Sequence, residues 1–184
     1  YDRYEYDADY PFPGTNPGDP SVVNRDRARA DWAGVEAQVS AELPWRNRVT
    51  GGAEFRRDIG IRQQNADVAP RQLYSSSDVS LWNYGVFVQD EFTPWTNVIF
   101  NLGLRYDRFS QYGDTLNPRA AIIYSPLART TFKVLYGQAY RVPSANEYFY
   151  ESPFQKTNPH LAPERIRSWE LALAAYNAGP GTVD

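Results

Sequence analysis

The residues best able to do chemistry are few and scattered. His160 is the only histidine, and cysteine is absent. Neither a histidine-rich metal cluster, a thiolate site nor a cysteine nucleophile can therefore be assembled. His160 sits in the proline-rich stretch Asn158-Pro159-His160-Leu161-Ala162-Pro163 and reads as a solvated or locally bonded residue. Carboxylates are plentiful. Glu36, Glu42, Glu54, Asp107 and Glu170, however, fall in the same alternation as Arg56, Arg105, Arg119, Lys133 and Arg141. No two carboxylates stand apart as an acid–base pair, so they read as charge pairs on a wet face. Gly179-Pro180-Gly181 has no lysine and makes no phosphate loop. The chain is expected to bind rather than catalyse, with no cofactor and no metal.

The best candidate for ligand contact is the stretch 143–163. It carries Tyr148, Tyr150, Phe154, Lys156 and His160, with Phe149 among them. Rings with a few polar groups suit an aromatic or chelated ligand. The same rings are equally suited to packing loops onto one another. A net charge of -3 gives no basic field for nucleic acid.

The elements that must carry these residues show a period of two. In 98–107, Val98, Phe100, Leu102, Leu104 and Tyr106 share one face, opposite Ile99, Asn101, Gly103, Arg105 and Asp107. This is a strand with one apolar and one polar face. The pattern recurs with apolar rows Val35–Leu43, Val49–Phe55, Trp82–Val88, Ala120–Tyr124, Phe132–Tyr140 and Trp169–Leu173, none of which holds a charge. Such a face suits lipid or a large core. Tyrosine, phenylalanine and tryptophan make 15% of the chain, which points to surfaces where rings meet both apolar matter and water.

Connections alternate in length. Leu43-Pro44-Trp45-Arg46-Asn47, Thr93-Pro94-Trp95-Thr96-Asn97 and Ser125-Pro126-Leu127-Ala128-Arg129 read as tight turns. Long polar loops are expected over roughly 7–30, 57–80, 109–117 and 142–164. Short turns on one side and long loops on the other mark a transmembrane β-barrel rather than a compact soluble domain. Trp45 and Trp95 would lie in one interfacial girdle, and Tyr84, Tyr106 and Tyr140 farther along the apolar rows. No run of 18 apolar residues provides a transmembrane helix.

Several segments resemble the β-barrel of TonB-dependent receptors. They are Phe87-Val88-Gln89-Asp90-Glu91-Phe92 followed by Asn101-Leu102-Gly103-Leu104-Arg105-Tyr106-Asp107, then Asn117-Pro118-Arg119-Ala120. Next come Tyr136-Gly137-Gln138-Ala139-Tyr140-Arg141-Val142-Pro143-Ser144 and Asn158-Pro159-His160-Leu161-Ala162-Pro163-Glu164 with Ser168-Trp169-Glu170-Leu171. Their order over about 85–173 carries the likeness; 1–84 fits by pattern.

The resemblance implies an all-β, up-and-down antiparallel meander, about eight strands of a barrel of roughly 22 that encloses a plug. It implies a bacterial outer-membrane transporter that imports a scarce nutrient such as an iron–siderophore complex. Its partners would be outer-membrane lipid, the small-molecule ligand, and a TonB-type energy-coupling protein acting through a plug absent from this sequence. With no initiating Met or export signal, the chain is expected to be a piece of a longer protein. The barrel segment is expected to occupy 1–173 and an atypical tail 174–184. An alternative is a small closed outer-membrane barrel acting as anchor, adhesin or porin-like protein. The end, Leu171-Ala172-Leu173-Ala174-Ala175-Tyr176-Asn177-Ala178-Gly179-Pro180-Gly181, resembles a short lytic transglycosylase motif. A cell-wall lyase would require helical periodicity upstream, where the period is two.

Overall fold

A computed structural model describes residues 1–13 and 21–175. It contains β1(Asp2–Phe12), β2(Val22–Leu43), β3(Asn47–Asp67), β4(Gln72–Trp95), β5(Val98–Phe109), β6(Gly113–Leu127), β7(Thr130–Arg141), α1(Ala145–Phe149) and β8(Glu164–Ala175). The strands form one sheet in chain order, each antiparallel to the next. This is the expected all-β meander. β1 and β8 are its two edges.

The three tight turns lie where the sequence places them. Trp45 and Arg46 both have φ of 61°, left-handed backbone that reverses the chain within the three residues between the paired Leu43 and Asn47. Trp45 is 85% exposed and Trp95 62% exposed at the ends of their hairpins. At the far end of the apolar rows Trp82 stacks on Tyr84 at 6.0 Å, and Tyr84 meets Tyr106 at 6.4 Å.

Register puts the apolar rows on one face. Val35, Phe55 and Tyr84 align across β2, β3 and β4, and Val88, Leu104 and Pro118 across β4, β5 and β6. Most of these side chains are exposed, Val39 at 74% and Leu102 at 58%. The longest rows, Val35–Leu43, Val98–Tyr106 and Phe132–Tyr140, each run for about nine residues, the length with which a tilted strand crosses a bilayer.

One residue departs from the expected charge-free face. Asp90 continues the row Trp82-Tyr84-Val86-Val88, between Val49 and Leu102, before Phe92. Its Oδ1 is buried and without a hydrogen-bond partner.

Three of the expected long loops are strand instead. The stretch 57–80 continues β3 to Asp67 and starts β4 at Gln72. β1 and β2 occupy most of 7–30, where 14–20 lie outside the described residues, and only 110–112 separates β5 from β6. The physical reason is cross-strand ion pairing. Arg3–Asp31 (2.6 Å), Arg25–Asp9 (2.6 Å), Arg27–Asp7 (3.0 Å) and Arg62–Asp78 (3.0 Å) form on the face that continues the apolar rows. Directly opposed unlike charges support a sheet with no greasy face, and hydropathy reads such strands as loop. β1 begins opposite Trp32, so it belongs wholly to this upper extension.

On the opposite face an extra residue in β3, between Asp58 and Ile61, switches the alternation. Glu54, Arg56 and Asp58 before it and Ile61, Gln63 and Asn65 after it therefore share the polar side. Tyr140 corrects its expected apolar placement. Its ring is edge-on to Phe109 at 5.6 Å, and Phe109 follows Arg105 and Asp107 on the polar row.

Candidate ligand site

Among the described residues, the long connection between β7 and β8 folds as a strap across the polar face. Its start is fixed by Ser144, whose Oγ accepts from the Glu147 backbone N–H at 3.2 Å while Glu147 Oε2 accepts from Ser144 N–H at 2.7 Å. This reciprocal cap starts the single turn α1. Arg141 at the end of β7 holds Glu147 at 3.0 Å and Glu164 of β8 at 2.8 Å, closing the base of the strap. The Arg141 guanidinium, with the Ser144 donors, holds the Glu147 carboxyl down at about 2.

Rings and amides then dock the strap on the wall. The Tyr148 hydroxyl donates to the Pro159 carbonyl at 2.5 Å and accepts from Gln111 Nε2 at 3.0 Å. Its ring is edge-on to Tyr112 at 5.3 Å. The Tyr150 hydroxyl accepts from Asn65 Nδ2 at 2.8 Å. Asn65 and Asn24 exchange amide hydrogen bonds at 2.9 and 2.8 Å, and Asn24 also donates to Asp67, which accepts from Tyr74. Burial, and then the nearby Asp26, push the Tyr150 phenol up. Phe154 reaches Phe12 of β1 at 5.3 Å. The strap thus spans from β7 to the far edge of the sheet.

The five residues singled out from the sequence divide. Tyr148 and Tyr150 are buried and bonded. Phe154 is 80% exposed beside Phe12. Lys156 and His160 are exposed, and His160 N–H donates to Asn158 Oδ1 at 3.1 Å. Sequence reasoning missed Asn24, Asn65 and Gln111, the wall residues that receive the strap. Asn24 and Asn65 lie on strands and Gln111 in the β5–β6 turn, and isolated polar side chains in such places give a weak signal. Among the described residues no group of three or more His, Asp or Glu side chains is placed to hold a metal ion.

Below the base of the strap lies a cavity of ≈ 490 Å³ lined by Trp32, Arg56, Asp58, Phe109, Tyr112 and Pro143, among others. Arg56 lies over the Trp32 ring at 5.1 Å and bonds Asp58 at 2.9 Å. Nearby, Arg105 joins Glu54 at 3.0 Å to Asp107 at 2.6 Å. Gly85 leaves the room for this pair: a Cβ there would stand 2.5 Å from both Arg105 Nη2 and Asp107 Oδ1. Of the charges expected to pair on a wet face, Glu54, Arg56, Arg105, Asp107 and Arg141 do so.

An uncharged belt broken only by Asp90 among the rows traced here, a charged face opposite and a strap over the polar side define a wall of a transmembrane β-barrel. The chain belongs to the TonB-dependent receptor family: the model of the "TonB dependent receptor-like, beta-barrel" matches residues 1–184. That match includes the tail that resembled a lytic transglycosylase motif, residues 176–184 of which lie outside the described structure.

Solved structures share the fold. The siderophore receptor PirA from Pseudomonas aeruginosa aligns with a TM-score of 0.67 at 16% identity, over 96% of this chain and 36% of that one. PirA from Acinetobacter baumannii aligns at 0.63 and 18%, over 89% and 26%. A mutant ferric enterobactin receptor (PfeA) from Pseudomonas aeruginosa aligns at 0.63 and 18%, over 87% and 26%. The chain therefore spans about a quarter to a third of the receptors it matches. No curated protein matches it in sequence.

Proposed function

We propose that the chain forms part of the wall of a bacterial outer-membrane transporter that imports a scarce nutrient such as an iron–siderophore complex. The observation that carries this reading is the strap, docked through Tyr148 and Tyr150 on the polar face above an uncharged belt. A wall that only anchors has no use for such a strap. The siderophore receptors named among its structural likenesses support the same reading.

In this reading the apolar rows contact outer-membrane lipid. The polar rows face the lumen and a plug, and a TonB-type coupling protein supplies energy from the inner membrane through that plug. Phe154, Lys156 and His160 meet the ligand from the exposed part of the strap, while Tyr148 and Tyr150 hold it in place. No bond is made or broken, so the protein is not an enzyme. The linear strand order, with β1 and β8 as edges, favours a larger wall over a closed eight-stranded barrel.

Radiolabelled iron-chelate uptake tests the reading. In cells that depend on this receptor, uptake is expected to vanish when either the receptor or the coupling protein is deleted. Uptake that persists without the coupling protein would overturn it.

A further inference from the structure

An open groove of ≈ 660 Å³ lies on the outward face of the upper strands, lined by Arg27, Arg29, Arg62, Gln64, Ser76 and Asp78, among others. It is on the opposite side of the sheet from the strap. Arg29 and Arg62 are paired directly across β2 and β3, and Arg27 is paired with Gln64. Like charges directly opposed in a sheet are destabilising, so sheet pairing alone gives no reason to set two guanidinium groups side by side. Each of the three arginines is held through one nitrogen. Arg27 donates through Nε to Asp7 at 3.0 Å, Arg29 through Nε to Asp31 at 3.1 Å and Arg62 through Nε to Asp78 at 3.0 Å. Among the described residues their Nη atoms make no hydrogen bond, and the side chains are 49%, 40% and 64% exposed. Exposed ion pairs of this kind contribute little, and the free Nη atoms fit the oxygens of a phosphate. Arg25, in the same row of β2, differs: it grips Asp9 through both Nε and Nη2.

The height of the groove narrows the source of the phosphate. The apolar belt ends at Trp82, stacked on Tyr84. Asp78, paired with Arg62, lies four residues beyond Trp82 on β4. That is about 13 Å along the strand and, at the usual strand tilt, roughly 9 Å farther from the hydrocarbon. A phospholipid head-group layer is only about 5–7 Å deep. The groove therefore stands at the level where a glycolipid carries its sugars, on a surface continuous with the lipid-facing rows. We propose that it binds a phosphorylated sugar of a membrane glycolipid, the phosphate held by the Nη donors of Arg27, Arg29 and Arg62 and the sugar by Gln64 and Ser76. The proposal goes beyond import. It rests on the outward placement of the apolar rows and not on what the transporter carries.

Binding of fluorescein-labelled lipopolysaccharide, a phosphorylated glycolipid, to the complete receptor in detergent micelles tests this by anisotropy. Removing the sugar phosphates from the probe is expected to weaken its binding by at least about tenfold. Arg29→Gln combined with Arg62→Gln is expected to weaken binding of the intact probe by a similar factor, about tenfold, and to leave the phosphate-free probe within about twofold. Arg25→Gln removes a charge of the same row outside the groove and is expected to change binding by less than about twofold. Phosphatidylglycerol is expected not to displace the probe. The proposal is overturned if the phosphate-free probe binds the unaltered receptor equally well, if Arg25→Gln costs as much as the double variant, or if phosphatidylglycerol displaces the probe as readily as unlabelled lipopolysaccharide does. Iron-chelate uptake is a separate readout, so either result leaves the import reading to its own test.

Discussion

Asn65 of β3 donates its side-chain amide to the Tyr150 hydroxyl at 2.8 Å, across 85 residues of sequence. This buried bond pins the middle of the strap to the wall, and Asn24 and Asp67 extend it into a chain of polar contacts. Tyr150→Phe keeps the ring but leaves one of the two Asn65 amide hydrogens unpaired, the other still bonding Asn24. Such a loss costs about 1–2 kcal/mol. Hydrogen exchange within 145–160 is expected to speed up by roughly tenfold, while the strands β4 and β5 keep their protection. Equal protection in both proteins would mean that the bond does not hold the strap.

A second dependence lies lower on the same face. Asp107 is fully buried and leans on Arg105. Arg105→Ala would strand a buried carboxylate and a half-exposed Glu54. A loss of about 3 kcal/mol in barrel stability is expected, measured by denaturant unfolding in detergent. Gly85→Ala is expected to act in the same direction, because its Cβ would collide with both partners of the pair.

Acid should loosen the base of the strap. The Glu147 carboxyl is held at about 2 against an ordinary 4.5, first by Arg141 and then by Ser144, and Glu164 is lowered by the same arginine. A lowered folded-state value contributes stability above the ordinary value and loses it as pH falls toward the folded one. The strap is therefore expected to be fully docked at pH 6 and to loosen between about pH 4.5 and pH 2. Hydroxyl-radical footprinting at Tyr148 and Tyr150 would report it. Glu147→Gln should flatten the change.

Asp90 interrupts an otherwise uncharged outward row, and its Oδ1 has no partner. A carboxylate facing hydrocarbon is costly. Asp90→Leu is expected to stabilise the barrel in lipid vesicles by about 1 kcal/mol. Unchanged or lower stability would mean that the carboxylate finds a partner in the bilayer.

The belt was legible because lipid on one side and a wet lumen on the other force strict alternation, as in Val98–Asp107. The upper strands were not. Asp7, Asp9, Arg25 and Arg27 look like loop residues until their cross-strand pairing is known, and pairing is a property of register rather than of composition. Tyr140 was misplaced because alternation alone does not reveal that its ring leans onto Phe109. Tyr148 and Tyr150 stood out as rings in a loop. Only the fold brings them to Gln111 and Asn65, so their anchoring contacts were invisible in the chain's local pattern.

The most direct measurement is depth- and face-resolved quenching in lipid vesicles. The chain has no cysteine, so a single introduced thiol labelled with a fluorophore reports one position. Labels at Val86, Val88, Leu102 and Leu104 are expected to be quenched strongly by brominated lipid, and labels at Gln89 and Gly103 weakly. Equal quenching on both rows, or stronger quenching at Gln89 and Gly103, would contradict a barrel wall with this face to the membrane.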